Sequence, residues 1–343
     1  MGDNNDRSSA TRRDYIKYTG AASAAAMTGL AGCSGGGDGE YPDGDITYII
    51  PFSEGGGTDT YARQFISHMA DELGTNIAIE NVPGAASLRG TGQLYNADPD
   101  GYTIGGFNPP STPVSAMVNP PEFDITKLEG IGTYARTPFV VVANPSYEIE
   151  GFEDMISRYA SGELEIFSGK ERGGVDHVLA LLMKGNDSYD LQWDRYVGYD
   201  GTGPAVQATI SDEVPVSIAT DTGAAGAAED GRIDVLACLS SQGSAVFPDV
   251  PSTTDLGYDN IDFLGQLVRG VFAPAGTSED QIEVLTGALE AALQTDEVQS
   301  WSDETGNVVE YGGPESASNA VADAFEQIPE QVDLEAVQEA ADE

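Results

Sequence analysis

The chain has 343 residues, enough for two domains of ordinary size, and its 40% hydrophobic content is that of a folded protein. Its 57 acidic and 15 basic residues give a formal net charge of −42, and the absence of a basic stripe argues against a nucleic-acid-binding protein. Such acidity suits a protein that stays soluble in concentrated salt, where electrostatic screening shortens to about 3 Å at 1 M. We infer a halophilic source, and an acidic protein from an ordinary environment is the alternative.

The N-terminal segment, residues 1–32, has the features of an export signal. Arg12 and Arg13 precede a stretch of small apolar residues, 21–30, that is too short to span a bilayer. The sequence Leu-Ala-Gly-Cys then ends at Cys33, and a Gly/Ser-rich run follows. This arrangement is similar to a twin-arginine signal joined to a lipobox, so we expect Cys33 to be lipidated and to become the new N-terminus.

The expected processing changes the chain little beyond its N-terminus. Removing residues 1–32 takes away three acidic and four basic residues, which leaves 54 and 11 and a formal charge of −43. Residues 33–44 are predicted to be a flexible tether, and stable attachment would need a second lipid chain. The other cysteine, Cys238, lies in a buried-strand pattern and is predicted to be a small core residue, so no intrachain disulfide is expected.

The stretch from Ile46 to Leu73 organises the rest of the chain. A β-branched and aromatic run leads into glycines 55–57, then Thr58, Asp59 and an apolar pattern of helical period, which predicts strand, tight loop and helix. Thr58 or Asp59 is expected to be the N-cap of this helix. Exposed backbone N–H groups at a helix N-terminus bind anions, although a plain strand-to-helix turn is the alternative. Nucleotide-binding loops are not matched, because neither Gly-Lys-Ser/Thr nor G-x-G-x-x-G follows.

Strand and helix patterns alternate along the remaining sequence. Further strands are predicted at 76–81, 102–107, 139–143, 164–167, 214–219, 233–239 and 264–272, with another at the start of 195–205. Helices are predicted at 152–159, from 175 to 183, at 280–293 and around 315–325. Repeated βα units favour an α/β fold with mostly parallel sheets flanked by helices. Ligands of such sheets bind beyond the carboxyl ends of the strands, where the loops at 53–58, 84–89 and 108–112 are expected.

Several segments, in order, resemble the extracytoplasmic solute-binding proteins of tripartite tricarboxylate transporters, the Bug or TctC-like family. They are Ile50-Pro51-Phe52 with Gly55, Gly56 and Asp59; residues 80–85; residues 99–103; Ser168-Gly169 with His177; residues 199–205; residues 248–253; and residues 272–277. Together they cover roughly residues 45 to 310. The lipobox is in keeping with this resemblance, since a receptor without a periplasm would be tethered outside the membrane.

The resemblance implies a two-domain, periplasmic-binding-protein-like clamshell that holds a small carboxylate between its lobes. Residues 45–142 would form lobe 1, residues 143–264 lobe 2, and residues 265–343 a return to lobe 1 with C-terminal helices. The ligand-binding residues carried over from the family are Phe52, Gly55, Gly56, Ser168, Gly169, Tyr199, Gly201 and Thr202, with Thr220, Asp221 and Thr222 as a further wall of the cleft. Family members hold a ligand carboxylate partly through backbone amides, which do not depend on side-chain charge.

Two loops depart from the family pattern. Where the family has Ser-Ser-Gly-x-Gly-Ser, this chain has a loop with two basic residues, Lys170 and Arg172, which either read an extra carboxylate or are solvated. Where the family has Gly-Ala-Gly-Gly, this chain has Gly-Ala-Ala-Ser at 84–87, and the nearby Arg89 faces either the cleft or solvent on a helix. For His177 we expect a packing or capping role in preference to ligand contact.

The resemblance implies a transport receptor that uses no cofactor or metal and catalyses no reaction. Its lobes would hinge near 140–145 and 263–268, and the closed, loaded form would dock on membrane permease subunits. A receptor that presents ligand to a membrane sensor kinase is one alternative. A secreted lipoprotein hydrolase is another, and it would need His177 to fold back and activate Ser168.

Overall fold

The computed structural model describes residues 41–342, with side chains up to residue 339. The predicted export signal, Cys33 and most of the tether therefore lie outside the described residues. The strands are β1 Ile46–Ile50, β2 Ile77–Asn81, β3 Thr103–Phe107, β4 Glu129–Ala143, β5 Ile166–Lys170, β6 Arg195–Tyr199, β7 Val216–Thr220, β8 Asp234–Cys238 and β9 Gln266–Ala273.

The α-helices of the same part of the chain lie between and after these strands. They are α1 Gly57–Leu73, α2 Leu88–Tyr95, α3 Ser111–Val118, α4 Phe152–Ala160, α5 Val175–Gly185, α6 Thr202–Ile210, α7 Asp221–Glu229, α8 Asp262–Gly265, α9 Glu279–Leu293, α10 Asp296–Thr305, α11 Pro314–Gln331 and α12 Leu334–Asp342. Within residues 41–342 no helix combines the length and the apolar character that a membrane crossing requires.

The strands form two groups that share β4. In lobe 1 the order is β2-β1-β3-β9-β4, and in lobe 2 it is β4-β7-β5-β6 with β8 on the other side of β4. Residues Glu129–Pro138 of β4 pair with β9, whereas Phe139–Ala143 pair with β7 and β8, so one continuous strand passes from lobe 1 into lobe 2. The predicted two-lobe α/β fold is confirmed, and the exact lobe boundaries stay a prediction.

The sheets are mixed, which refines the prediction of mostly parallel ones. Strands β1, β2 and β3 are parallel, as are β5, β6 and β7, and each of these sets follows a βα pattern along the chain. The strands that carry the chain between the lobes, β4 and β9, run antiparallel to their neighbours. The first ten residues of β4 were not predicted, because Gly130, Gly132 and Pro138 weaken the strand pattern that pairing with β9 restores.

The core of lobe 1 follows from the helical period of α1. Tyr61, Phe65 and Met69 recur at intervals of four residues, are buried, and pack with Leu285 and Leu289 of α9. In lobe 2, Cys238 of β8 is fully buried as a free thiol, which confirms its predicted place in the core. Packing of the helices on the sheets fixes where the βα loops lie at the edge of each lobe.

The start of α1 differs from the prediction. Its N-cap is Gly56, with extended backbone angles and no side-chain cap, so the prediction that Thr58 or Asp59 caps this helix is wrong. Both side chains are engaged elsewhere: the Thr58 hydroxyl accepts a hydrogen bond from Asn108, and the Asp59 carboxylate accepts one from the Gly55 amide. A tertiary contact of Thr58 and a local contact of Asp59 therefore use the groups that would otherwise cap the first turn.

The turn before α2 is strained. Gly84, Ala85, Ala86 and Ser87 all have positive φ angles, of 127°, 48°, 49° and 79°. Residues with a Cβ atom lose roughly 1–2 kcal/mol each in the left-handed region, and Ala86 and Ser87 stand where the resemblance has glycine. Ser87 is compensated by a 2.9 Å hydrogen bond between its hydroxyl and that of Thr112, whereas the Ala86 side chain has no polar group to contribute one.

Replacing Ala86 with glycine should therefore stabilise the protein. We expect Ala86→Gly to raise the free energy of unfolding by about 0.5–1 kcal/mol, because relief of strain exceeds the backbone entropy that glycine adds to the unfolded chain. Urea unfolding in molar KCl measures the change. Ala322→Gly, at an exposed position in the middle of α11, is the matched control and should cost about 1 kcal/mol. Equal destabilisation by both substitutions would contradict the strain argument.

Candidate functional site

Polar groups from both lobes meet beside the two strands that join them. The guanidinium of Arg269, on β9, lies 5.1 Å from the centre of the Tyr61 ring of α1. From lobe 2, Asp221 at the start of α7 lies within electrostatic range of both Arg269 and Tyr61. We call the region between Arg269 and Asp221 the cleft.

The glycine loop of lobe 1 uses several of its own backbone amides. The Gly55 amide donates to Asp59 Oδ2 at 2.9 Å, and the Gly56 amide donates to the Ser53 carbonyl at 3.2 Å. Phe52 is half-buried against the lobe 1 core, and its carbonyl accepts from Asn81 Nδ2 at 3.1 Å. The amides of residues 57–59 have no hydrogen-bond partner within residues 41–342, so these are the amides left for a ligand.

The Asp59 carboxylate is an internal anion of this loop. Burial alone would raise its pKa, but hydrogen bonds from Arg63 at 2.8 Å, from Gly55 and from Asn81 at 3.0 Å bring the pKa below its usual value. Asp59 is therefore ionised at neutral pH and holds the loop closed on itself. Gly55 and Gly56 lie in the predicted binding loop, and their contact with ligand stays a prediction.

The loop between β5 and α5 in lobe 2 is likewise flanked by a carboxylate that accepts a hydrogen bond from a backbone amide. The Lys170 amide donates to Asp176 Oδ2 at 3.0 Å, and Lys170 Nζ lies 3.4 Å from Asp176 Oδ1 and 5.0 Å from the centre of the Phe139 ring. Burial raises the pKa of Asp176, and Lys170 opposes that rise. Arg172 Nη2 donates to the Tyr196 carbonyl at 2.8 Å. The charge of Lys170 is thus matched inside the lobe, and Arg172 is engaged with the neighbouring strand.

Ser168 and His177 are buried and do not form a catalytic pair. Ser168 Oγ donates to the Val216 carbonyl at 2.9 Å and bonds the Ser217 hydroxyl, inside the lobe 2 sheet. His177 Nδ1 accepts from the Gly173 amide at 3.1 Å, and its ring lies 4.5 Å from that of Tyr196, which confirms a packing role. Burial, with a smaller effect of Arg172, lowers the pKa of His177 to about 4, so the ring is neutral at pH 7.

The other predicted ligand-binding residues of lobe 2 differ in how far they are buried. Gly169 is buried, and a Cβ atom there would meet the Tyr196 hydroxyl at 2.7 Å and the Asp176 side chain at 2.8 Å. The hydroxyl of half-buried Tyr199 bonds Glu213 at 3.0 Å. Gly201 precedes α6 with a φ of 102°, which favours glycine, and Thr202 follows with its methyl group against Gly223. The structure therefore brings Thr202 next to the first turn of α7.

That first turn carries the buried carboxyl group of the cleft. The Thr220 hydroxyl caps α7 by accepting from the Gly223 amide, while Asp221 accepts from Ser244 Oγ at 2.7 Å and from the Thr222 amide at 2.6 Å. Asp221 is 3% exposed. Burial raises its pKa to about 6, against the opposing effects of those two hydrogen bonds and of Arg269.

Arg269 and Asn108 were missed by the sequence analysis. Arg269 is 3% exposed, and among residues 41–342 it is the only buried lysine or arginine. Its Nη1 donates to the Thr58 hydroxyl at 3.0 Å, and Asn108 Nδ2 donates to the same oxygen at 2.7 Å. The sequence did contain a signal for Arg269, because it is the one charged residue in the apolar run 264–272. The sequence analysis predicted a strand there and did not consider the arginine. Arg89, by contrast, is exposed on its helix.

A separate cavity of about 390 Å³ lies on the other face of β4 and β9. Arg136, Gln266 and Val268 line it together with residues of α11, and none of the predicted ligand-binding residues does. Residues on alternate positions of the same strands, Thr137 and Arg269, face the cleft instead, because side chains alternate between the faces of a strand.

Comparison with known proteins identifies the family. The model of the tripartite tricarboxylate transporter family receptor matches residues 61–326. The chain belongs to this family. It is thus a solute-binding protein and not an enzyme, and the hydrolase alternative built on Ser168 and His177 is wrong.

Relatives and solved structures of the family cover most of the chain. Protein BugT of Bordetella pertussis is 27% identical over 290 residues, which span 83% of this chain and 87% of the relative. MatC from Rhodopseudomonas palustris with bound malate superimposes with a TM-score of 0.68 at 24% identity, covering 88% of this chain and 100% of that one. A second R. palustris protein, solved with adipate, gives a TM-score of 0.72 at 21% identity, covering 88% and 99%. At these sequence identities, the similarity to the two solved structures establishes the fold of this chain and nothing further.

The buried carboxyl group of Asp221 should make stability depend on pH. Its folded pKa of about 6 lies above the ordinary aspartate value of 3.8, so the native state binds the extra proton and stability falls as pH rises from about 4 to 6. The full loss is about 3 kcal/mol. We expect Asp221→Asn to remove this decline, as measured by the difference between the urea-unfolding free energies of variant and wild type from pH 4 to 8.

The exposed Asp187 provides the matched control for this measurement. Asp187→Asn removes the same charge without removing a buried carboxyl group, so its stability profile should run parallel to that of the wild type. If the Asp221→Asn profile also ran parallel to the wild type across this pH range, Asp221 would not be the buried acid described above.

Proposed function

We propose that this chain is an extracytoplasmic, lipid-anchored receptor that captures a small carboxylate between its two lobes and delivers it to the permease subunits of a tripartite tricarboxylate-type transporter. The observation that carries the proposal is the meeting of polar groups from both lobes in one cleft. Lobe 1 contributes the free amides at the start of α1 and the guanidinium of Arg269, and lobe 2 contributes the first turn of α7.

The chemistry of the cleft supports an anionic ligand. Unpaired amides at a helix N-terminus and a buried guanidinium both stabilise negative charge, and carboxylate is the small organic anion that both bind well. The structurally similar proteins solved with malate and with adipate support the same ligand class. A net charge of −42 does not prevent such binding in strong salt, because screening confines the repulsion to a few ångströms while amide donors act at contact.

The two shared strands support a closure mechanism. Chain crossings at β4 and at the start of β9 are adjacent and paired, so a change of twist near residues 140–145 and 263–268 would move one lobe against the other. Ligand that contacts both lobes favours the closed form by its higher affinity for that form. The closed receptor would then present a ligand-dependent surface to the permease.

Export and anchoring are proposed from residues outside the described part of the chain. The paired arginines, the short apolar stretch and Cys33 support the twin-arginine route and a lipid anchor on the outer face of the cytoplasmic membrane. The acidic surface supports a halophilic source. The chemistry of the cleft is independent of these assignments.

A thermal-unfolding panel tests the receptor function. In molar KCl, the purified protein is heated with malate, adipate, succinate or citrate as potassium salts, with matched KCl and neutral sugars as controls. At 100 times its dissociation constant a ligand adds about 2.7 kcal/mol to the free energy of unfolding, so a carboxylate ligand should raise the melting temperature without being consumed. Stabilisation by a neutral sugar, with none by any carboxylate, would contradict the proposal.

Replacing the lipidated cysteine tests the anchor separately. We expect Cys33→Ser to move the exported protein from the membrane fraction to the medium, because serine cannot form the thioether on which the lipid is built. Immunoblots of both fractions measure this. Cys238→Ser is the matched control and should leave the distribution between fractions unchanged, since Cys238 is a core residue. Retention of the Cys33→Ser protein on membranes would rule out this anchor.

A further inference from the structure

Arg269 is a buried cation without a carboxylate partner. Salt bridges within residues 41–342 involve other basic residues, and no carboxylate oxygen there lies within 4.0 Å of the Arg269 nitrogens. Arginine is almost never fully buried unless it is paired, because removing its charge from water is costly. The opposing carboxyl group, Asp221, acts on it through space and is itself held by Ser244 and Thr222.

The guanidinium is held in place with hydrogen-bonding capacity to spare. Nε donates to Thr137 Oγ1 at 3.1 Å and Nη1 donates to Thr58 Oγ1 at 3.0 Å, while the Tyr61 ring lies against the group. Of the five N–H donors of an arginine, these two bonds use one each, so Nη2 keeps both of its hydrogens and Nη1 keeps one. A guanidinium fixed in this way is prepared to bind a planar anion.

The free side of the guanidinium faces the start of α1. Nη2 is the atom closest to where a Cβ of Gly57 would stand, at 2.7 Å, and Gly57 is exposed. The unpartnered amides of residues 57–59 therefore lie beside the unpartnered N–H groups of Arg269. A second polar group here also lacks a partner: Asn108 Oδ1 is buried and accepts no hydrogen bond, although its amide nitrogen bonds Thr58.

We propose that Arg269 is a specificity-determining residue that binds one carboxylate group of the ligand at the floor of the cleft, through Nη1 and Nη2 and with the amides at the start of α1. The ligand class this favours is a small carboxylate, because the two terminal nitrogens offer a planar pair of charged donors. The proposal rests on the proposed function and names the side chain that decides its ligand class. It also gives Arg269 the role that sequence analysis offered to Lys170 and Arg172.

The test measures the coupling between Arg269 and the ligand charge. Calorimetry in molar KCl compares adipate and malate with their diamides, in which both carboxylates become neutral groups of the same shape. Wild type should bind the diacid at least about 30-fold more tightly than the diamide. Arg269→Gln should lose the preference to below about threefold, because its neutral amide accepts either group.

Arg136→Gln is the matched control, since it removes the same charge from the paired strand on the opposite face, beside Glu310. It should retain the wild-type preference. Arg269→Lys keeps the charge but loses the planar fork, so its preference should be intermediate, and it serves as the second variant should Arg269→Gln not fold, as monitored by circular dichroism.

Two outcomes separate this proposal from the function on which it rests. If wild type binds no carboxylate, the receptor proposal and this one fail together. If wild type binds a diacid, but Arg269→Gln weakens diacid and diamide equally and keeps the preference, Arg269 has a purely structural role and this proposal alone is overturned. A wild-type preference in Arg269→Lys would also overturn it, because the fork would then be unnecessary.

Discussion

The pairing of β4 with β9 is the constraint on which the two lobes depend. Eight residue pairs join Glu129–Pro138 to Gln266–Ala273, and both connections between the lobes run through this ribbon. The ribbon is part of the lobe 1 sheet, and β4 continues from it into the lobe 2 sheet, so the two sheets are connected through one strand. A ribbon of two strands twists more readily than a wide sheet, which makes it suited to joining two rigid bodies.

The placement of charge shows how an acidic protein could bind an anion in the cleft, as proposed. Each glycine loop has a carboxylate of its own, Asp59 in lobe 1 and Asp176 in lobe 2, and each of these is paired with a base, Arg63 or Lys170. The charges of the two loops are therefore matched within each lobe. Arg269 is different, because it is buried with neutral hydrogen-bonding partners and keeps its charge uncompensated at contact distance.

Local sequence patterns were sufficient for most of the fold. The β-branched runs before glycine loops predicted β1, β2, β3, β5 and β7 to within a few residues, because a buried parallel strand needs little from its neighbours beyond apolar contact. The glycine-interrupted first part of β4 was missed, since its stability comes from β9, more than a hundred residues away. The predicted N-cap of α1 was wrong because Asn108 and Arg269, distant in sequence, hold Thr58, while Asp59 is held mainly by its neighbours Gly55 and Arg63.

The sequence analysis proposed loops that lie beside the cleft, and contact of their residues with a ligand stays a prediction. Family resemblance placed the loops at 53–58 and 220–222, and both flank the cleft. It also carried over Ser168 and Gly169, whose side-chain positions are enclosed by the lobe 2 sheet and by Asp176. Arg269 could not be selected from the sequence as a candidate site residue. Its candidacy depends on its burial without a carboxylate partner, and the sequence does not show which side chains surround it.

The alternation of side chains along the ribbon has a mechanical consequence. Thr137 and Arg269 lie on one face of it and Arg136 and Val268, their immediate neighbours in sequence, lie on the other, where they line the outer cavity beside α11. Under the proposed function, a ligand bound by Arg269 would act on a two-stranded ribbon whose opposite face lines the outer cavity. Occupancy of the cleft would then reach the molecular surface across the thickness of a single backbone layer.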